Sequence, residues 1–281
     1  MSRLQSLALF AALGYPPTPV ELAMVSSDGP VESPMKLVRG RVVLEGEDSM
    51  VAEHEARRLF LPRKLRKARR VTRWLARLSG VRFVALCNTT ALGHARDEGD
   101  LDFFIVTRSG SVWQTRLFAT LPFKLFGGRP KSDASERDAV CLSYFVDDAA
   151  LDLAPHMLDG DDPYFRHWFL SLLPLYDDGV SADLWKANTS IRSHHPGAVP
   201  WIPNADLRIS SSTLRIPHFL WLERFAMWLQ GKTFSGAIRQ IMNKDTRVIV
   251  NDHVLKFHVD DGREKFRQMY RDICTKYGIA P

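Results

Sequence analysis

The chain has 281 residues, 38 basic against 32 acidic side chains for a net charge of +6, and 45% hydrophobic residues. This ordinary globular usage excludes a disordered, collagen-like or fibrous chain, and the length fits about two domains at ~150 residues each. No run approaches the ~18–20 uninterrupted apolar residues of a membrane span. Cys87, Cys141 and Cys274 are far apart and show no Cys-x-x-Cys spacing. A disulfide framework or a cysteine zinc site is therefore disfavoured, and a reducing cytoplasm is the expected compartment. The basic balance suits a polyanion or a nucleotide phosphate as partner.

In chain order, Leu4, Leu7, Ala8, Phe10, Ala11 and Leu13 recur at helical spacing and read as a folded helix rather than a signal peptide. Thr18-Pro19-Val20-Glu21 is a capping box that opens a second helix over Pro19–Val25. Gly29, Pro30 and Pro34 break the chain, and Met35–Val38 and Arg41–Leu44 read as a hairpin around Arg39-Gly40. Helix, helix, hairpin is the order of a winged-helix-like unit. Residues 53–78 read as one long helix bent near Pro62, with an apolar stripe from Leu65 to Leu78. Ten basic residues and no acid fall between Arg57 and Arg77, and without them the net charge is −4. Such a face is either solvated or in contact with a polyanion, a nucleic acid or a triphosphate.

Val81–Cys87 and Leu101–Thr107 read as buried strands. Val112–Phe126 reads as a helix, 127–135 as a loop and Val140–Val146 as a third strand. Residues 156–281 read as mainly helical, with a loop at 188–215 marked by Pro196, Pro200, Pro203 and Asn204. In the helix Phe219–Leu229, Phe219, Leu222, Phe225, Ala226 and Leu229 form a face that docks on the core in preference to a membrane surface, with Glu223 and Arg224 exposed. A last helix runs over Arg263–Tyr277.

The informative stretch is Cys87-Asn88-Thr89-Thr90-Ala91-Leu92-Gly93, followed by Asp100-Leu101-Asp102 at the start of an apolar strand. A strand alternates its side chains, so Asp100 and Asp102 share one face. Two such carboxylates beside a hydroxyl-bearing turn suit Mg²⁺, with Mn²⁺ as a substitute, carrying phosphates. His194-His195 have no Cys or carboxylate at zinc-ligand spacing, and His253 and His258 read as structural or exposed. No Gly-x-Ser-x-Gly elbow surrounds Ser143 or Cys141, and no Gly-x-Gly-x-x-Gly or phosphate-loop motif occurs.

The order of strand, small polar turn and Asp-x-Asp strand resembles the nucleotidyltransferase superfamily related to DNA polymerase beta, over about residues 81–146. The layout also resembles bacterial and archaeal nucleotidyltransferase-domain proteins with an N-terminal winged-helix-like region. The resemblance implies an α+β fold: a small mixed-sheet core with helices, a winged-helix-like unit before it and a helical region after it. The corresponding segments are 1–52, 53–155 and 156–281. It implies Asp100 and Asp102 as metal-binding catalytic residues, and Asn88, Thr89 and Thr90 at the family's Gly-Ser position, where the nucleotide sits. Arg108 and Arg116 are basic candidates for its phosphates. The implied activity is Mg²⁺-dependent transfer of a nucleoside monophosphate from a nucleoside triphosphate to an unknown acceptor.

Two departures stand out. Asn88 replaces the family's Gly, although Asn is the residue that next most readily takes positive φ. The third strand carries no internal acid; Asp138 precedes it, and Asp147 and Asp148 follow as expected exposed strand ends. Two other readings therefore stand beside the first. One is a catalytically degenerate domain that binds a nucleotide or a partner. The other is a winged-helix DNA-binding regulator, against which Asp28 and Glu32 stand in the recognition region.

Overall fold

The computed structural model describes residues 1–26, 30, 33–125, 137–195, 197–201, 209 and 219–280. Asp28, Gly29, Glu32, the loop 127–135, Pro196, Pro203 and Asn204 lie outside the described residues.

Two capping boxes start the chain. Ser2 accepts from the Gln5 amide at 3.2 Å while the Gln5 side chain takes the Ser2 amide, and α1 (Arg3–Ala12) follows. Thr18 and Glu21 repeat the arrangement ahead of α2 (Pro19–Val25), with Pro19 where a helix needs no N–H. Strands β1 (Met35–Val38) and β2 (Arg41–Leu44) pair antiparallel. Their turn residues, Arg39 and Gly40, both have positive φ (48° and 76°), as a two-residue hairpin requires.

Two helices, α3 (Ser49–Arg58) and α4 (Leu61–Leu75), replace the single bent helix expected there. The break falls at Leu59-Phe60, and Pro62 sits in the first turn of α4, where its ring is tolerated. The core follows as β3 (Val81–Leu86), α5 (Asn88–Ala91), β4 (Leu101–Thr107), α6 (Val112–Leu125) and β5 (Val140–Asp147). Beyond it lie a 3-10 turn (Ala154–His156), α7 (Pro163–Leu170), β6 (Leu173–Asp177), α8 (Ser181–Ala187) and α9 (Thr189–Arg192). Then come α10 (Leu220–Lys232), α11 (Gly236–Ile241), β7 (Val248–Val250), β8 (Val254–Phe257) and α12 (Arg263–Lys276).

The class is mixed α+β: a six-stranded sheet in the order β6-β3-β4-β5-β8-β7, and the separate β1-β2 hairpin. Within the large sheet β4 and β5 pair parallel, with α6 as the crossover a parallel pair needs, and the other neighbours pair antiparallel. The segment after residue 155 is less purely helical than its composition suggests, because β6, β7 and β8 complete this sheet. These strands are short, and Pro174 lies in β6 at the sheet edge, so they lack a strong period-2 signal.

Both faces of the sheet are covered. On one, Phe103, Ile105, Leu142, Phe145 and Leu255 pack with Ala68, Val71 and Leu75 of α4 and with Trp113 and Ala119 of α6. On the other, Phe83, Phe104, Tyr144 and Val146 pack with Phe165, Trp168 and Phe169 of α7 and with Leu184 of α8. A Cβ on Gly80 would lie 2.1 Å from the Thr115 hydroxyl, so only glycine lets the start of β3 approach α6 this closely. The N-terminal helices are tied to the end of the chain: Ala8 and Leu9 of α1 pack on Phe266, Tyr270 and Cys274 of α12.

Candidate active site

The alternation of β4 sends Phe103 and Ile105 to one face and Asp102, Phe104 and Val106 to the other, where α7 packs. Asp100 stands just ahead of the strand on the same side, and Asp102 is in register with Cys141 of the parallel neighbour β5. A ligand atom from each of Asp100, Asp102 and Cys141 lies within 4.8 Å of the others. The pairing slips between Asp102 and Phe104, and this bulge brings Tyr144 opposite Phe104. Next across the sheet, Tyr144 is in register with Lys256 of β8. The result is a cleft of about 600 Å³ lined by Asn88, Asp100, Asp102, Cys141 and Ser143 and also by Lys256, His258 and Arg263. Tyr164, Phe165 and Trp168 of α7 contribute an aromatic wall.

Asn88 takes φ = 58°, the left-handed conformation its position demands. Its side chain is fixed at both ends: Nδ2 donates to Asp102 Oδ2 at 2.7 Å, and Oδ1 accepts from the Tyr164 hydroxyl at 3.0 Å. Thr90 is buried and Thr89 partly buried within α5, and among the described residues neither hydroxyl faces the cleft.

The site gathers two carboxylates, and the Lys64 ammonium acts on Asp100 only at a distance. No ion pair to Asp100 or Asp102 exists among the described residues. Burial and the charge of Asp100 push the Asp102 carboxyl up to about 6, against the Asn88 and Cys141 hydrogen bonds, which pull it down. Burial also raises Asp100. Burial and the nearby Asp102 push the Cys141 thiol well above its ordinary value, so it stays protonated, with its sulfur 3.3 Å from Ser143 Oγ. Two carboxylates with a neutral thiol fit a hard, oxygen-seeking cation such as Mg²⁺ or Mn²⁺ better than a thiolate-bound soft one.

Lys256 is 1% exposed, and its ammonium reaches the Thr246 carbonyl but no carboxylate among the described residues. Burial first, then the charge of Arg263, pushes its amine down to about 7. Arg263, by contrast, is held by Asp261 and by Asp162 at 3.0 Å.

No family model, curated protein or solved structure matches the chain.

The structure brings Asn88, Asp100 and Asp102 into one cleft and places Arg108 and Arg116 elsewhere. Arg108 lies past the opposite end of β4, bonded to the Ser79 carbonyl and to Asp178 at 3.0 Å. Arg116 is buried between α6 and α10, bonded to Gln230 at 2.6 Å and stacked over Phe257. The acids flanking β5 are not exposed strand ends either. Asp138 is held by Lys64 and Arg63, Asp147 is fully buried against His253, and Asp148 pairs with Arg82. Cys141, Ser143, Lys256 and His258 were not legible as site residues, because register between strands far apart in sequence brings them together. Ser143 and His258 share a hydrogen bond at 3.1 Å. The signal present in the sequence was weak: a lysine inside the apolar run Val254–Phe257.

Proposed function

We propose that this cleft binds a nucleoside triphosphate with Mg²⁺ and transfers its nucleoside monophosphate to an acceptor hydroxyl. The observation that carries the reading is the Asp100–Asp102 pair: two carboxylates on one strand face, with no ion-pair partner among the described residues, in a cleft that a buried lysine also lines. Asp100 and Asp102 would hold the ion, with Mn²⁺ as a substitute. Bound Mg²⁺ supplies neutralisation of the triphosphate and acidification of the acceptor hydroxyl. Asn88 holds Asp102 in place through its amide, and Tyr164 holds Asn88. Lys256 lines the same cleft, and in its protonated form it would be a counter-charge for a phosphate. The aromatic wall of α7 offers ring surface for a base. In the transfer, the acceptor hydroxyl loses its proton to solvent and its oxygen bonds to the α-phosphorus, while the bond from that phosphorus to the bridging oxygen breaks and pyrophosphate leaves with the electron pair.

A second reading keeps binding and drops transfer. It is favoured by Cys141, which stands opposite Asp102 on the strand where a third carboxylate would help activate the acceptor.

Calorimetry with each nucleoside triphosphate and Mg²⁺ tests binding, and incubation of the labelled triphosphates in cell extract tests transfer. Mg²⁺-dependent binding lost in the double variant Asp100→Ala, Asp102→Ala is the expected result. No binding with either Mg²⁺ or Mn²⁺ overturns both readings. Binding without any labelled acceptor selects the second.

A further inference from the structure

Helix α10 has an outer face that the core does not use. Its inner side docks on α6 through buried Ala226 and Gln230, and Gln230 donates to the Trp113 carbonyl at 2.8 Å. Its single acid, Glu223, also turns inward and accepts the Trp113 and Gln114 amides at 2.8 Å, capping the first turn of α6. The sequence pattern placed Phe219 and Phe225 on the docking face and Glu223 outside; the structure reverses both. Glu223 turns inward because the free N–H groups at the start of α6 take its carboxylate as their acceptor.

What remains outside is aromatic and basic. Trp221 is 68% exposed, Phe225 46% and Trp228 55%. These three and Lys232 recur at i, i+4, i+7 and i+11, which is one stripe of a helix. Phe219 extends the stripe, with its ring 6.3 Å from that of Trp221, and Phe225 lies 5.9 Å from Trp228. The Lys232 ammonium sits 4.1 Å from the Trp228 ring centre. From Leu220 to Lys244 the chain carries Arg224, Lys232, Arg239 and Lys244 against the one inward-facing acid, and all four cations are exposed. Asp252, on the β7–β8 turn, is the only other acid lining the cleft beside Trp221 and Arg224 among the described residues.

We propose that this face docks on the surface of an anionic lipid bilayer. Tryptophan and phenylalanine seat at the level of the headgroups, and arginine and lysine beside them meet anionic lipid. The helix has 13 residues, and no helix among the described residues is long and apolar enough to cross a membrane, so the contact is parallel to the surface. A second copy is a poor occupant. A two-fold contact would set the Arg224 and Lys232 of one chain against the same cations of the other.

Co-sedimentation of the full chain with phosphatidylcholine vesicles, with and without ~30 mol% phosphatidylglycerol, tests this, with tryptophan fluorescence as a second readout. The expected result is binding that requires the anionic lipid, a blue shift of emission, and release at ~0.5 M salt. The double variant Trp221→Ser, Trp228→Ser should bind about tenfold more weakly or worse, with unchanged circular dichroism, because both rings are exposed. Asp102→Asn should bind vesicles as the unaltered chain does, which separates this proposal from nucleotide chemistry. No binding to either vesicle overturns it. A concentration-dependent dimer abolished by the same tryptophan variant also overturns it, in favour of a second copy.

Discussion

The two ends of β4 carry similar acids and treat them in opposite ways. Past its C-terminal end, Asp148 and Asp178 both take the Arg82 guanidinium, at 2.9 and 3.0 Å, and Arg108 adds a second cation to Asp178. Asp147 nearby is closed off by His253 at 2.8 Å and by the Ala149 amide. At the N-terminal end, Asp100 and Asp102 have hydrogen bonds but no ion-pair partner among the described residues, and Lys64 acts on Asp100 only at a distance. Even the basic α4 helix, which reaches this end, gives Lys64 and Arg63 to Asp138 and Asp97 instead. Saturated acids hold the fold. Unsaturated ones cost stability, and they persist where a ligand supplies the missing charge.

The sharpest way to break this contrast is Asp102→Asn. We expect Mg²⁺-dependent transfer to fall about a thousandfold, since ion-held charge stabilisation is worth several kcal/mol, while the melting temperature of the ligand-free chain does not drop. A large melting loss would make Asp102 a structural acid like Asp178. Next is Lys64→Met. Lys64 is 0% exposed, and its removal leaves Asp138 buried with a partly exposed Arg63 only. A loss of about 3 kcal/mol in urea unfolding is expected, and a loss within error would refute the role given to this lysine. Asp178→Asn, at the saturated end, should cost about 1–2 kcal/mol and leave nucleotide binding intact.

The pH response gives a smaller effect. Asp102 titrates near 6 in the folded chain and near 3.8 unfolded, so its charge opposes folding above pH 6. Lowering the pH from ~7 to ~5 should therefore stabilise the unaltered chain relative to Asp102→Asn by about 1 kcal/mol. The buried His156 and His167 and the partly buried His258, pushed down to about 4, 3 and 3, act with the opposite sign. They stay neutral in the fold while the unfolded chain takes up protons below pH ~6.5, so absolute stability falls on acidification. Comparing the two proteins in parallel urea titrations cancels that background. The smallest effect belongs to Arg66→Glu with Arg70→Glu. Both arginines are exposed, and a change within about 0.5 kcal/mol is expected. Salt-steep duplex binding lost in that variant would instead give the helix a nucleic-acid role.

Local chemistry was legible and long-range register was not. The capping box at Thr18, the hairpin at Arg39-Gly40 and the β4 bounds could be read directly, because each depends on neighbours a few residues apart. The Asp100–Asp102 face was readable for the same reason. Lys256 entered the cleft only through the β5–β8 pairing, more than a hundred residues from Tyr144, and nothing local announces that pairing. Arg108 and Arg116 looked like phosphate ligands from proximity in sequence. A seven-residue strand carries Arg108 to the far end of the sheet, and α6 turns Arg116 inward.

The Asn88 amide has a consequence for which metal could be chosen. By donating to Oδ2 of Asp102, it takes one lone pair of that oxygen and leaves Oδ1 the less encumbered donor. A carboxylate restricted in this way is a one-toothed ligand. Small octahedral ions accept single oxygens at a tight radius, whereas a larger ion such as Ca²⁺ gains from gripping both. On the proposed reading, Asn88 would thus bias the site toward ions that take a single oxygen, a preference built into the turn before any ion arrives.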